Sequence, residues 1–116
     1  MKKHLVLLLA LAATLMMASC TKEKANYYVK YEASAYTPHA STIYISVNTE
    51  NGVQSIQASG NTFSETFGPV QKGFKASISA SVTVGTTSTS IYVSKGEEPF
   101  VLKATGGKTA EYVIDF

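Results

Sequence analysis

The run Phe74-Lys75-Ala76-Ser77-Ile78-Ser79-Ala80-Ser81-Val82-Thr83-Val84 is apolar at every even position and polar at every odd one. Unbroken period-two alternation predicts a strand with one dry face and one wet face. Burying Phe74, Ile78, Val82 and Val84 at roughly 1.5–3 kcal/mol each gives about 6–12 kcal/mol before ordering entropy is subtracted. Such a face needs a cover, and the rest of the chain offers further strands to provide it.

Tyr27 to Tyr36 alternates as well, with Val29, Tyr31, Ala33 and Ala35 opposite Tyr28, Lys30, Glu32 and Ser34, and Thr37-Pro38-His39 ends it. Thr42 to Glu50 follows with Ile43, Ile45 and Val47 inward. Asn51-Gly52 then predicts a type I′ hairpin, which needs φ > 0 at both turn residues. That turn would set Val47 against Ile56 and Ile45 against Ala58. Ser59-Gly60-Asn61 breaks the chain, Thr62 to Phe67 is a weaker strand carrying Phe63 and Phe67, and Gly68-Pro69 reads as a turn. A loop at Gly85-Thr86-Thr87-Ser88 would oppose Val82 to Ile91 and Ala80 to Val93, with the next turn at Lys95 to Pro99. At the end, a loop of Gly106, Gly107 and Lys108 would oppose Ala104 to Ala110, Leu102 to Tyr112 and Phe100 to Ile114. About seven or eight short, evenly spaced strands predict an all-β chain, a single antiparallel β-sandwich or a small closed barrel. Long alternating strands with two dry faces to lay together favour the sandwich.

Composition agrees with this. The chain has 116 residues, room for one domain, and of the 97 from Cys20 onward 24 are Ser or Thr, which suits wet strand faces and disfavours helices. The formal charge of +2 comes from Lys2 and Lys3, because from residue 20 onward eight Lys balance eight Asp plus Glu. There is no Arg, so the guanidinium fork on which phosphate and guanine recognition lean is missing, and nucleic acid is not an expected partner. One cysteine allows no disulfide within the chain.

Met1-Lys2-Lys3-His4 is a short basic start, and Leu5 to Ala18 carries no charge. This is too short to span a bilayer, which takes about 20 apolar residues, and it fits a secretory signal. The segment ends in Met17-Ala18-Ser19-Cys20, which resembles the lipobox of bacterial lipoproteins, with Met17 where Leu is usual. The resemblance implies diacylglycerol attached to the Cys20 sulfur, cleavage before Cys20 and acylation of the new amine. Residues 1–19 are then a lipoprotein signal peptide, 20–26 a lipidated tether and 27–116 the β-sandwich domain. Thr21, and not Asp, follows the cysteine, which in enteric-type bacteria resembles the pattern sent to the outer membrane. An ordinary cleaved signal or a plain N-terminal anchor are the other readings.

Within the domain, Val29-Lys30-Tyr31-Glu32, Ile43-Tyr44-Ile45 with Asn51-Gly52, Gly68-Pro69-Val70, Ser90-Ile91-Tyr92-Val93, and Gly106-Gly107 with Tyr112-Val113-Ile114 stand in a telling order. That order resembles the mycobacterial membrane protein small (MmpS-like) family. The resemblance implies an immunoglobulin-like β-sandwich held outside a membrane, with no catalytic residues, acting beside lipid and siderophore exporters. This chain departs from the family in having Cys20 in place of a membrane helix and no cysteine pair.

Chemistry is sparse. His39, in a Pro-containing turn, is the one histidine after the signal, so no serine has a second candidate base. Glu97-Glu98 sits in a turn, and no Cys/His cluster, calcium loop or phosphate-binding glycine motif is present, so no catalytic residue, cofactor or metal is expected. Tyr28, Tyr44 and Tyr92 fall on wet faces, where they are either surface contacts for a protein or sugar or cover for their neighbours. The expected function is a lipid-anchored, non-enzymatic envelope module binding an envelope protein or glycan. The alternative is a sandwich carrying a small apolar or lipid ligand between its sheets.

Overall fold

A computed structural model describes residues 25–38 and 42–116. The signal segment, Cys20 with most of its tether, and His39 lie outside the described residues. Among the described residues the chain is all β: β1 (Tyr27–Tyr36), β2 (Thr42–Thr49), β3 (Gly52–Ser59), β4 (Thr62–Val70), β5 (Lys75–Ser81), β6 (Thr86–Lys95), β7 (Val101–Gly106) and β8 (Thr109–Val113). They form two four-stranded antiparallel sheets, β4-β1-β6-β7 and β3-β2-β5-β8. The layers are those of the sandwich that the alternation predicts. In connectivity, β1 pairs with β4 and β6 in one sheet while β2 belongs to the other.

The inward side chains are those that period two assigns. Val29, Tyr31, Ala33, Ile91 and Val93 from one sheet meet Ile43, Ile45, Val47, Ala76, Ile78, Ala80 and Ala110 from the other, with Ile114 closing one end. Tyr31 reaches across this layer. Its hydroxyl donates to the Asn48 carbonyl at 2.6 Å and accepts from the Ser77 amide at 3.1 Å. The β2–β5 ladder runs from Tyr44↔Ser81 to Val47↔Ile78, so Asn48 and Ser77 occupy the next rung. The phenol stands in for a backbone bond there and ties the two sheets together.

Five expectations are corrected by this arrangement. The eleven-residue run is not one strand: β5 stops at Ser81, Val82 is half-buried and Val84 is 59 % exposed. Ala76, Ile78 and Ala80 keep the dry face, but Val84 adds nothing to it. Nor do β5 and β6 form a hairpin, because residues 82–85 carry the chain from one sheet to the other, where all of β6 pairs with β1. Alternation says which face of a strand is dry, and a hairpin partner and a strand across the core satisfy it equally.

The same holds at the last expected hairpin. β7 pairs with β6 and β8 with β5, so Gly106 to Lys108 bridges the sheets. Only glycine fits the crossing, since a Cβ on Gly106 would lie 1.8 Å from the Thr109 carbonyl oxygen. Gly68-Pro69 does not end its strand either. β4 continues to Val70 through a one-residue register shift against β1. Finally, the β2–β3 turn is Glu50-Asn51, with Thr49↔Gly52, Val47↔Gln54, Ile45↔Ile56 and Ile43↔Ala58, two residues from the expected register. No described non-glycine residue has a positive φ, which excludes type I′, and Gly52 carries the left-handed φ of +101°. Thr49 selects this turn: its Oγ1 donates to the Gly52 carbonyl at 2.8 Å and accepts from the Asn51 amide at 3.1 Å. A two-residue slip keeps side-chain parity, so the same residues still point inward.

Candidate binding surface

The three tyrosines do not come together. Even-numbered residues of β1 and β6 point out of the first sheet, so Tyr28 (opposite Ser94) and Tyr92 (opposite Lys30) share its outer face. Tyr44 lies on β2 and points out of the second sheet, on the far side of the molecule. Nor are they alike: Tyr28 and Tyr92 are half-buried, while Tyr44 is 48 % exposed.

Tyr92 is covered by a charge. Lys30 Nζ lies 4.7 Å from its ring centre and 5.1 Å from that of Phe100, a cation–π arrangement worth about 0.5–1 kcal/mol at an exposed site. The same ammonium is 3.7 Å from Glu32 Oε2, which also accepts from Ser64 Oγ at 3.3 Å. Beside this pair the outer face carries a depression of about 260 Å³ lined by Glu32, Ser34, Thr62, Ser64, Ser88 and Ser90, with the Ser34 and Ser88 hydroxyls 2.7 Å apart. The grouping went unread in the sequence because it needs β4 and β6 on either side of β1. Lys30 and Glu32 on one wet face were its only visible trace.

The second sheet presents a different surface. Tyr44, Ser46, Ser55, Gln57, Ser79 and Ser81 line a depression of about 350 Å³ on the outer face of β3, β2 and β5. Hydroxyls and one amide line it with no charge, together with Ile45 and Ile56, and the exposed phenol of Tyr44 is among them. Such a surface can hydrogen-bond a neutral polar ligand and stack one ring against it. It lacks the convergent titratable groups that acid–base or nucleophilic chemistry needs.

The interior offers a ligand little room. A cavity between the sheets would leave accessible area on the side chains around it, yet Tyr31, Ile43, Ala76, Ile91 and Val93 are all 0 % exposed. Glu97 and Glu98 sit exposed in the turn after β6, where the Glu98 amide donates to the Lys95 carbonyl at 3.2 Å. Among the described residues no three of His, Cys, Asp or Glu group to hold a metal, and no helix is long and apolar enough to cross a membrane.

What the fold defines is a class, a two-sheet antiparallel β-sandwich with a serine- and tyrosine-bearing outer face on each sheet. No family model matches the chain, and no curated protein or solved structure matches it.

Proposed function

We propose that this chain is a lipid-anchored lipoprotein of the bacterial cell envelope, attached through Cys20, whose sandwich is a non-enzymatic binding or accessory module for an envelope protein or glycan. The observation that carries the reading is Met17-Ala18-Ser19-Cys20 closing a basic-then-apolar leader. A charged stretch, Thr21 to Lys24, then separates that cysteine from Ala25 and Asn26, which already pack on the domain, as a tether would. Two or three acyl chains hold a protein to a membrane firmly, whereas one binds marginally, so full acylation is part of the proposal. Thr21 after the cysteine supports placement at the outer membrane, and the MmpS-like pattern of the strands supports an accessory role. Within the domain the uncharged depression beside Tyr44 is the better ligand surface, because Tyr92 is already occupied by Lys30. The fully packed core speaks for a surface-binding module over the carrier of an apolar ligand.

Mass analysis of the protein extracted from membranes tests the anchor. Cys20 is expected to begin the mature chain and to carry diacylglycerol and an amide-linked acyl group, and Cys20→Ser is expected to move the protein to the soluble fraction. An unmodified thiol would overturn the proposal. For the surface, Tyr44→Ala is expected to abolish capture of envelope glycans or proteins by the full-length protein while leaving thermal stability within about 0.5 kcal/mol. Native mass spectrometry of gently purified protein that revealed a retained lipid would instead favour the carrier.

A further inference from the structure

Among the described residues, Phe100, Val101 and Leu102 are the one run of consecutive large apolar side chains left exposed, at 37 %, 50 % and 48 %. They lead from the β6–β7 turn into an edge strand. Leu102 pairs with Tyr92 and so stands on the outer face of the first sheet. Phe100 lies there too, because Lys30 Nζ sits over both the Phe100 and the Tyr92 ring. Tyr28, two residues before Lys30 on β1, shares the face. Three rings and a leucine therefore gather around one ammonium at the end of the sheet where β1 begins. Further along the same strands the face turns polar, at Glu32, Ser34, Ser88 and Ser90. A contiguous exposed apolar patch marks an interaction site. Tyrosines and a lysine beside wholly apolar side chains suit the headgroup level of a bilayer, where hydroxyl and ammonium reach water and the carbons leave it.

The position of the patch names its occupant. The Asn26 carbonyl accepts from the Gly96 amide at 2.7 Å, so the chain enters the domain alongside the β6–β7 turn, at the apolar end of this face. Five residue steps of at most about 3.6 Å each keep Cys20 within about 18 Å of Ala25. A lipidated Cys20 thus holds the patch beside a bilayer at high effective concentration, whereas any other partner has to arrive by diffusion. We propose that the outer face of the first sheet rests on the lipid surface in which Cys20 is anchored, with Phe100 and Leu102 entering the interface. This inference rests on the lipid anchor proposed above. The contact is apolar in character: around it Lys22, Lys24 and Lys95 balance Glu23, Glu97 and Glu98, and Lys30 is paired with Glu32. The second sheet then faces away from the membrane and presents the Tyr44 depression to the aqueous side.

The test uses the protein extracted from membranes and reconstituted into phosphatidylcholine vesicles that contain a nitroxide-labelled lipid. The chain has one cysteine, and its lipidation leaves no free thiol, so a single introduced cysteine carries a fluorophore at a chosen place. Thr66→Cys reports from the outer face of the first sheet, opposite Lys30, and Gln57→Cys from the outer face of the second, opposite Tyr44; both positions are exposed. Quenching is expected to be several-fold stronger at Thr66→Cys and to be the same at low and high salt. F100S/L102S is expected to remove the difference while melting as the native chain does, since both positions are exposed. The comparison of the two probes in the native background does not depend on that variant. Equal quenching at both positions in vesicle-bound protein overturns the proposal, as does a difference that F100S/L102S leaves intact. A Cys20 that itself takes the fluorophore, in protein the vesicles fail to retain, overturns the anchor and this inference with it, so the two failures are told apart.

Discussion

The Tyr31 hydroxyl holds the place of a missing rung between β2 and β5, so its removal leaves the Asn48 carbonyl and the Ser77 amide without their partner. Tyr31→Phe is expected to cost about 1–3 kcal/mol in chemical denaturation, the penalty for unpaired buried groups. Burial, the largest influence, pushes the hydroxyl up to about 12 from the ordinary 10. The native state therefore keeps a proton that the unfolded chain releases. This contribution is whole below pH 10 and is lost as the pH rises from 10 towards about 12. Urea titrations across that range should show the native protein losing stability more steeply than Tyr31→Phe. Thr89 is the opposite case: it is 1 % exposed, and its hydroxyl has no partner among the described residues. Thr89→Val is expected to stabilise the fold by about 1 kcal/mol, read as a rise in melting temperature. The inward placement of Tyr31 was legible in the alternation. Its partners were not, because they belong to the other sheet and no local pattern points across a core.

For the elements, what could be read was the face of each strand, and what could not was its neighbour. The inward sets of β1, β2 and β5 are as period two gives them, down to Ile43, Ile45, Val47 and Ile78. Three hairpins were nevertheless expected, and only β2–β3 exists among them, because segments 82–85 and 106–108 change sheets instead of turning back. Both crossings pass through glycine, which is also what a turn looks like in sequence. The β2–β3 hairpin offers a sharp check on its geometry. With Gly52 left-handed and Asn51 not, Gly52→Ala is expected to cost about 1–2 kcal/mol, whereas Asn51→Ala should cost a few tenths. A type I′ turn would penalise both, so comparable losses in thermal melts would restore the turn first read from the sequence.

For the molecule as a whole, five of the seven connections between successive strands cross from one layer to the other. One sheet takes the first, fourth, sixth and seventh strands and the other the second, third, fifth and eighth. No contiguous half of the polypeptide contains a complete sheet, so neither layer can form before most of the chain has been placed. Unfolding is accordingly expected to be one cooperative transition, with calorimetric and van't Hoff enthalpies equal, and slow folding in milliseconds to seconds is the companion expectation for such non-local pairing. That two layers would form was legible in strand number and spacing. Which strands they would share was decided by contacts distant in sequence.

The position of β1 has one more consequence. It is an interior strand, matched along its whole length to β6 on one flank and along most of it to β4 on the other, and Asn26 just before it is stitched to Gly96 and Gln71. A tug on the leading end of the domain therefore acts parallel to the strand and loads both flanking ladders in shear, all rungs at once, where an edge strand would unzip bond by bond. The chain would meet tension from its leading end with its strongest axis.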